Sequence, residues 1–266
     1  MKLFSKILGA LVAAGLLSMP AQAVTREEAT IDQSLIVLRD LQAISDSKIP
    51  DMLLARAEGI VILPANVKVG LVFGASFGSG VMLVRNEDRS WSNPVFVKTG
   101  GGSWGFQAGG QVSDIVLVLT TRESIEGITD GKLTLGADAS AAAGPVGRTA
   151  KASTDLTFDA EVYSYAKSQG LFLGVSLEGN AILISKKANN SFYEGDSSAA
   201  AILASKTAPP APAPELVAEV TKLTTSAATS VASEDPAKPA PPAVPATEAK
   251  TYPLPDPEPG KEPPGR

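Results

Sequence analysis

Gly100-Gly101-Gly102-Ser103-Trp104-Gly105-Phe106-Gln107-Ala108-Gly109-Gly110, running directly into Val112 to Leu119, is the stretch that decides how this chain folds. Gly100, Gly102 and Gly105 match the dinucleotide spacing G-x-G-x-x-G. That spacing holds a pyrophosphate only where a strand passes through the glycines into a helix, so that phosphate meets the helix N-terminus. Here the residues alternate instead. Trp104, Phe106 and Ala108 share one side of an extended chain, and Ser103, Gly105, Gln107 and Gly109 the other. The stretch therefore reads as β-structure. Ile115-Val116-Leu117-Val118-Leu119 is apolar on both parities, the pattern of a central strand covered on both faces.

The same period extends outward. Val67 to Val84 reads as one strand, with Gly70, Gly74, Gly78 and Gly80 on one parity and Leu71, Phe73, Phe77 and Val81 on the other. A glycine-lined face signals close approach by another backbone or by a ligand. Arg85-Asn86-Glu87-Asp88-Arg89 is a charged turn, and Trp91 to Lys98 leads into the glycine stretch. Leu133 to Ala141, Glu161 to Ala166, Leu171 to Glu178 and Ala181 to Lys186 read as further strands.

Helices flank this run. Thr25-Arg26-Glu27-Glu28 fits a capping box ahead of Ile31, Leu35, Leu38 and Ile44. A second helix is expected from Pro50 to Glu58, stopped at Gly59, and a last one from about Ser197 to Ala204, capped by Asp196. The pattern predicts an α+β domain: a largely antiparallel, curved or barrel-like β-sheet or sandwich with N-terminal helices and a short C-terminal helix. An outer-membrane barrel fits less well, because the strands lack repeated aromatic girdles.

Met1-Lys2-Leu3-Phe4-Ser5-Lys6, the apolar run from Ile7 to Met19 and Ala21-Gln22-Ala23 form a three-part secretory signal with cleavage before Val24. The expected location is the periplasm or envelope. Among 266 residues there is no cysteine and no histidine, which excludes a lipid-linked N-terminus, disulfides, thiolate or histidine zinc sites and imidazole bases. Gly74-Ala75-Ser76-Phe77-Gly78 thus fits the nucleophile-elbow pattern without a base to serve it. The net charge of -5 comes with no basic cluster, so nucleic acid is not an expected partner. No cofactor is implied. Acids such as Asp155, Asp159 and Glu161 could form a carboxylate pair, but their closeness in sequence fits a solvated loop better.

From Thr207 onward the composition turns to Pro, Ala, Glu, Lys and Thr. Such a segment buries too little apolar surface to offset its ordering entropy. Residues 1–23 are accordingly read as signal peptide, 24–206 as the folded domain and 207–266 as a disordered Pro/Ala-rich tail, either a solubilising spacer or a contact for an envelope protein or the cell wall. A short helix around Leu216, Val217, Val220 and Leu223 is allowed, since these share one helical face.

Several separated motifs then occur in a familiar order. They are Ile49-Pro50 with Leu53 to Ile60, Gly78-Ser79-Gly80-Val81, Trp91-Ser92-Asn93-Pro94, Trp104 to Gly109, Gly144-Pro145-Val146-Gly147-Arg148, Tyr163 to Phe172, Gly174 to Gly179 and Phe192-Tyr193. Together they resemble the SYLF domain across nearly all of residues 24–206. The resemblance implies a non-catalytic module that binds membrane lipid, with phosphoinositide binding and, in some eukaryotic members, actin contact. The chain departs from the family in one respect. The basic amphipathic N-terminal helix of eukaryotic members is matched here by Arg26, Arg39 and Lys48 against Glu27, Glu28, Asp32, Asp40 and Asp46, which an anionic surface should repel.

The resulting expectation is an envelope protein that binds acidic phospholipid or phosphoinositide-like headgroups. Cations would meet phosphate and aromatics would sit at headgroup level, and Trp104, Phe106, Arg148, Lys151 and Lys167 are the candidate lipid-binding residues. A structural or protein-interaction module that uses the proline-rich tail is the alternative.

Overall fold

The structure is a computed structural model that describes residues 24–43, 48–70, 73–104, 109–145, 159–168, 171–175 and 177–233. Its helices are α1 (Arg26–Ala43), α2 (Asp51–Arg56), α3 (Arg122–Thr129), α4 (Lys186–Phe192), α5 (Ala199–Ala204) and α6 (Ala213–Ser233). The strands are β1 (Gly59–Gly70), β2 (Phe73–Val84), β3 (Val95–Trp104), β4 (Gly109–Leu119), β5 (Lys132–Thr134), β6 (Ala141–Ala143), β7 (Val162–Ser168), β8 (Leu171–Gly174) and β9 (Asn180–Ile184). They form one sheet in the order β5-β9-β3-β2-β1-β4-β7-β6, with β8 paired to β7. Every pairing is antiparallel except β6 with β7. This is the α+β half-barrel expected from the alternating strands and flanking helices.

The doubly apolar run at the end of β4 does what its pattern requires. Val116 and Val118 join one buried cluster with Ile60, Ile62, Val81, Leu83 and Phe96, under α1, α2 and α6. Ile115, Leu117 and Leu119 join another with Val61, Leu63, Met82 and Val97, under Ile125 and Ile128 of α3. At the start of α1 the capping box forms as the sequence predicts. Glu28 N–H donates to Thr25 Oγ1 at 3.1 Å, and Thr25 N–H donates to Glu28 Oε2 at 2.6 Å. Replacing Thr25 with Ala removes the first of these, and urea unfolding is expected to show a loss of about 1 kcal/mol.

Four expectations change. Residues 67–84 do not make one strand: the chain reverses after Gly70, and β2 runs back along β1 with Gly70 opposite Gly74. The expected strand from Leu133 to Ala141 is only the short β5, followed by a turn and β6, and α3 precedes it. The helix expected from Ser197 starts at Ala199, and its N-cap is Ser198, whose side chain accepts from Ala201 N–H, while Asp196 accepts from Ser198 N–H.

The fourth change is the largest. Residues 213–233, expected in a disordered tail, form the 21-residue α6, with Ala213, Leu216, Val220, Thr224 and Ala227 buried. These positions recur at spacings of three and four, so one stripe faces the core. Thr224 Oγ1 also accepts from buried Trp91 Nε1 at 3.0 Å, and Arg85 lies over the Trp91 ring at 4.8 Å. Burial lowers the Arg85 pKa to about 10, helped by the nearby Arg89 charge. The folded body thus reaches Ser233 instead of residue 206. The rest of the tail, like residues 1–23, lies outside the described residues.

Candidate functional site

The glycines of the sheet fall into two kinds. On the α3 side of β2 and β3, the chain itself fills the space above them. A side chain at Gly80 would put its Cβ 1.9 Å from the Ile62 carbonyl oxygen, one at Gly78 would lie 2.6 Å from Asn66 Oδ1, and one at Gly101 would lie 2.4 Å from Asn180 Oδ1. For Gly80 and Gly78 the cause is a bulge in β1, whereas Gly101 is crowded by Asn180 of the neighbouring β9. The register slips between Ile62 and Val67, Ala65 takes φ 53°, and Asp114 holds its backbone N–H at 3.0 Å. This is the close backbone approach that a glycine-lined strand predicts.

On the α1 side, the glycines are bare. Among the described residues, a Cβ at Gly100 or Gly102 would meet only a carbonyl oxygen, 4.0 and 3.9 Å away. The residues beside them in the ladder are apolar and uncovered. Register aligns Val112, Val67, Phe77 and Gly100 in one row across β4, β1, β2 and β3, and Gly110, Val69, Ala75 and Gly102 in the next. Val112 is 63 % exposed, Phe77 53 % and Val69 42 %, although the same face a few residues away is fully buried. The helix cover ends before the sheet does.

A cleft of about 540 Å³ marks that boundary. Arg26, Thr30 and Gln33 of α1 form one wall, and Phe77, Ser79 and Lys98 of the sheet form the other. Ser79 and Lys98 are paired in the ladder, one row inward from Phe77 and Gly100. Among the described residues neither Arg26 nor Lys98 has an acidic partner, whereas Arg39, Arg89, Arg122, Lys167, Lys206 and Lys222 all do. The cleft therefore joins two unpaired cations and several hydroxyls to an exposed apolar floor. Such a surface suits an amphiphile with a negative head. No helix among the described residues is long and apolar enough to cross a membrane.

Of the five expected lipid-binding residues only Lys167 has a described side chain, and it lies away from this cleft. Lys167, on β7, is spent on an ion pair with Asp40 of α1. It helps to fix α1 to the sheet and is not a free headgroup cation. Trp104 ends β3 opposite Phe73, and its side chain is outside the described residues, as are Phe106, Arg148 and Lys151. Glu161, weighed as one half of a carboxylate pair, accepts from Ser140 N–H at 2.7 Å. Lys98 was not singled out by the sequence reading, and Arg26 was read only as part of a capping box and an acidic helix, because the two stand 72 positions apart. Phe77 was legible as apolar but not as uncovered.

Residues 100–223 match the family model described as Ysc84, Las17-binding protein actin regulator. These residues are similar to the Ysc84/SYLF family. The match takes in the glycine lane of β3 and reaches into α6, two features that lie far apart in sequence. SH3 domain-containing protein PJ696.02 of Schizosaccharomyces pombe is 39% identical over 171 residues, 63% of this chain and 40% of that protein. Protein YSC84 of Saccharomyces cerevisiae is 37% identical over 176 residues, 65% and 37% of the two chains. The human SH3 domain-containing YSC84-like protein 1 is 39% identical over 172 residues, 64% of this chain and 50% of its own. The aligned part spans half or less of each of these relatives.

Proposed function

We propose that this Ysc84-like domain is a non-catalytic, lipid-binding module of the cell envelope that docks on acidic phospholipid through the uncovered end of its sheet. The observation that carries this reading is the pairing of unpartnered Lys98 and Arg26 with exposed Phe77, Val69 and Val112 on one face. Lysine and arginine near an anionic bilayer surface contribute about 1 kcal/mol each, and apolar side chains add burial at the headgroup boundary. The acidic residues of α1 do not oppose such contact uniformly. Glu28 is occupied by its cap and Asp40 by Lys167, and Arg26 lies at the end that borders the cleft. The signal-like pattern from Met1 to Ala23 supports an exported location.

Co-sedimentation of the chain from Val24 onward with phosphatidylglycerol, cardiolipin and phosphatidylcholine vesicles tests the reading. Binding to the two acidic lipids and not to phosphatidylcholine is expected. Reversing both cations, Arg26→Glu with Lys98→Glu, should weaken acidic-vesicle binding at least about tenfold. Absence of wild-type binding to every acidic vesicle would overturn the proposal.

A further inference from the structure

On β3 three alternate residues point to the α1 side: Lys98, Gly100 and Gly102. The first is a cation on the rim of the cleft, and the other two are bare backbone. They make a lane that starts at a positive charge and continues without side chains. Phe77 and Ala75 of β2 stand beside the lane in register with the two glycines, and Ala181 of β9 stands opposite Gly100 on the other side.

Glycine weakens a strand and leaves no side chain to pack, so two in alternate positions need a reason. For Gly78, Gly80 and Gly101 the reason is internal, because a neighbouring part of the chain occupies the space. For Gly100 and Gly102 no described residue supplies one: a methyl group would fit at either position. What the bare backbone leaves is a shallow trough one strand wide. Strands lie about 4.8 Å apart, close to the width of an extended hydrocarbon chain, and from Lys98 to Gly102 the lane runs about 13 Å.

We infer that this lane takes one acyl chain of the bound lipid, with the phosphate held between Lys98 and Arg26 and the chain lying over Gly100 and Gly102 against Phe77. The inference rests on the acidic-lipid reading above and adds that the ligand is gripped by its chain as well as by its head. The charge pattern selects this occupant. An apolar segment alone would leave the two cations unanswered, and a free phosphate would leave Phe77 in water. An anionic amphiphile answers both.

Binding of monomeric alkyl phosphates to the full chain, measured by calorimetry below their micelle concentrations, separates the contributions. Each buried methylene is worth about a fourfold gain in affinity. Dodecyl phosphate should therefore bind the wild type at least tenfold more tightly than hexyl phosphate, and inorganic phosphate more weakly still. Gly100→Gln with Gly102→Gln places polar bulk in the lane and should erase the chain-length dependence. Phe77→Glu, at an exposed position, should do the same without burdening the fold, and thermal melts of both variants provide the control. If dodecyl and hexyl phosphate bind the wild type equally while acidic vesicles still bind, the acyl lane is wrong and headgroup docking survives. If neither vesicles nor alkyl phosphates bind, the lipid reading falls as a whole. A wild type that forms a stable dimer and takes up no dodecyl phosphate would assign the lane to a second copy and overturn the inference.

Discussion

Ending the chain at Lys206 is expected to abolish cooperative unfolding, whereas ending it at Ser233 should leave the melting transition of the full chain in place. The sequence alone favours the shorter boundary, since proline-rich composition begins there. The structure puts five buried side chains of α6 beyond it, and Leu216 and Val220 are wholly covered. Their removal would also uncover residues of the same cluster in α1 and α2, among them Leu41, Leu53 and Leu54. Trp91 would lose the acceptor of its indole N–H. Burying one Leu or Val stabilises by about 1.5–3 kcal/mol. Several such losses together are comparable to the whole stability of a domain, about 5–15 kcal/mol. Circular dichroism melts of the two truncations decide the matter. Equal melting temperatures would mean that α6 is an appendage and that the core is drawn wrongly.

Gly80→Ala should be nearly as damaging, although it adds one methyl group. The atoms in its way are all backbone: the Ile62 carbonyl oxygen at 1.9 Å, its carbon at 2.8 Å and Leu63 Cα at 2.9 Å. No rotamer change can clear them, so the two central strands must separate or the bulge must be lost. A cost of at least about 3 kcal/mol in denaturant unfolding is expected, at the severe end for a single substitution. Gly100→Ala on the bare side provides the contrast, and a change within about 0.5 kcal/mol is expected there. If the two variants were equally stable, the division of the glycines into packed and bare would not hold.

That division shows how far the sequence could be read. The parity of Ile115–Leu119 revealed a two-sided strand because burial on both faces leaves no polar position to misread. Parity also placed Phe77 and Val81 on one face, correctly. It could not show that α1 covers Val81 and stops short of Phe77, because the reach of a helix over a sheet depends on tertiary packing. In the same way Gly80 and Gly100 look alike as letters, and only the bulge at Ala65 separates them. The helix at the C-terminus was half visible. Leu216, Val220 and Leu223 share a face, but the prolines before them and the small residues around Thr224 and Ala227 resemble a polar tail until Trp91 is seen to meet Thr224. Of the candidate cations chosen by sequence position, Arg148 and Lys151 lie outside the described residues. Lys167 has an ion-pair partner on a distant helix, and the unpaired Arg26 and Lys98 become neighbours only across the cleft.

Because the chain contains no cysteine, a single one can report on any position. Phe77→Cys, labelled with an environment-sensitive fluorophore, would sit on the uncovered face, and Glu123→Cys on exposed α3 would sit on the opposite side of the sheet. With phosphatidylglycerol vesicles, the label at position 77 should shift to the blue and become shielded from an aqueous quencher, while the label at position 123 should not change. No shift at position 77, or equal shifts at both, would contradict lipid docking through this face.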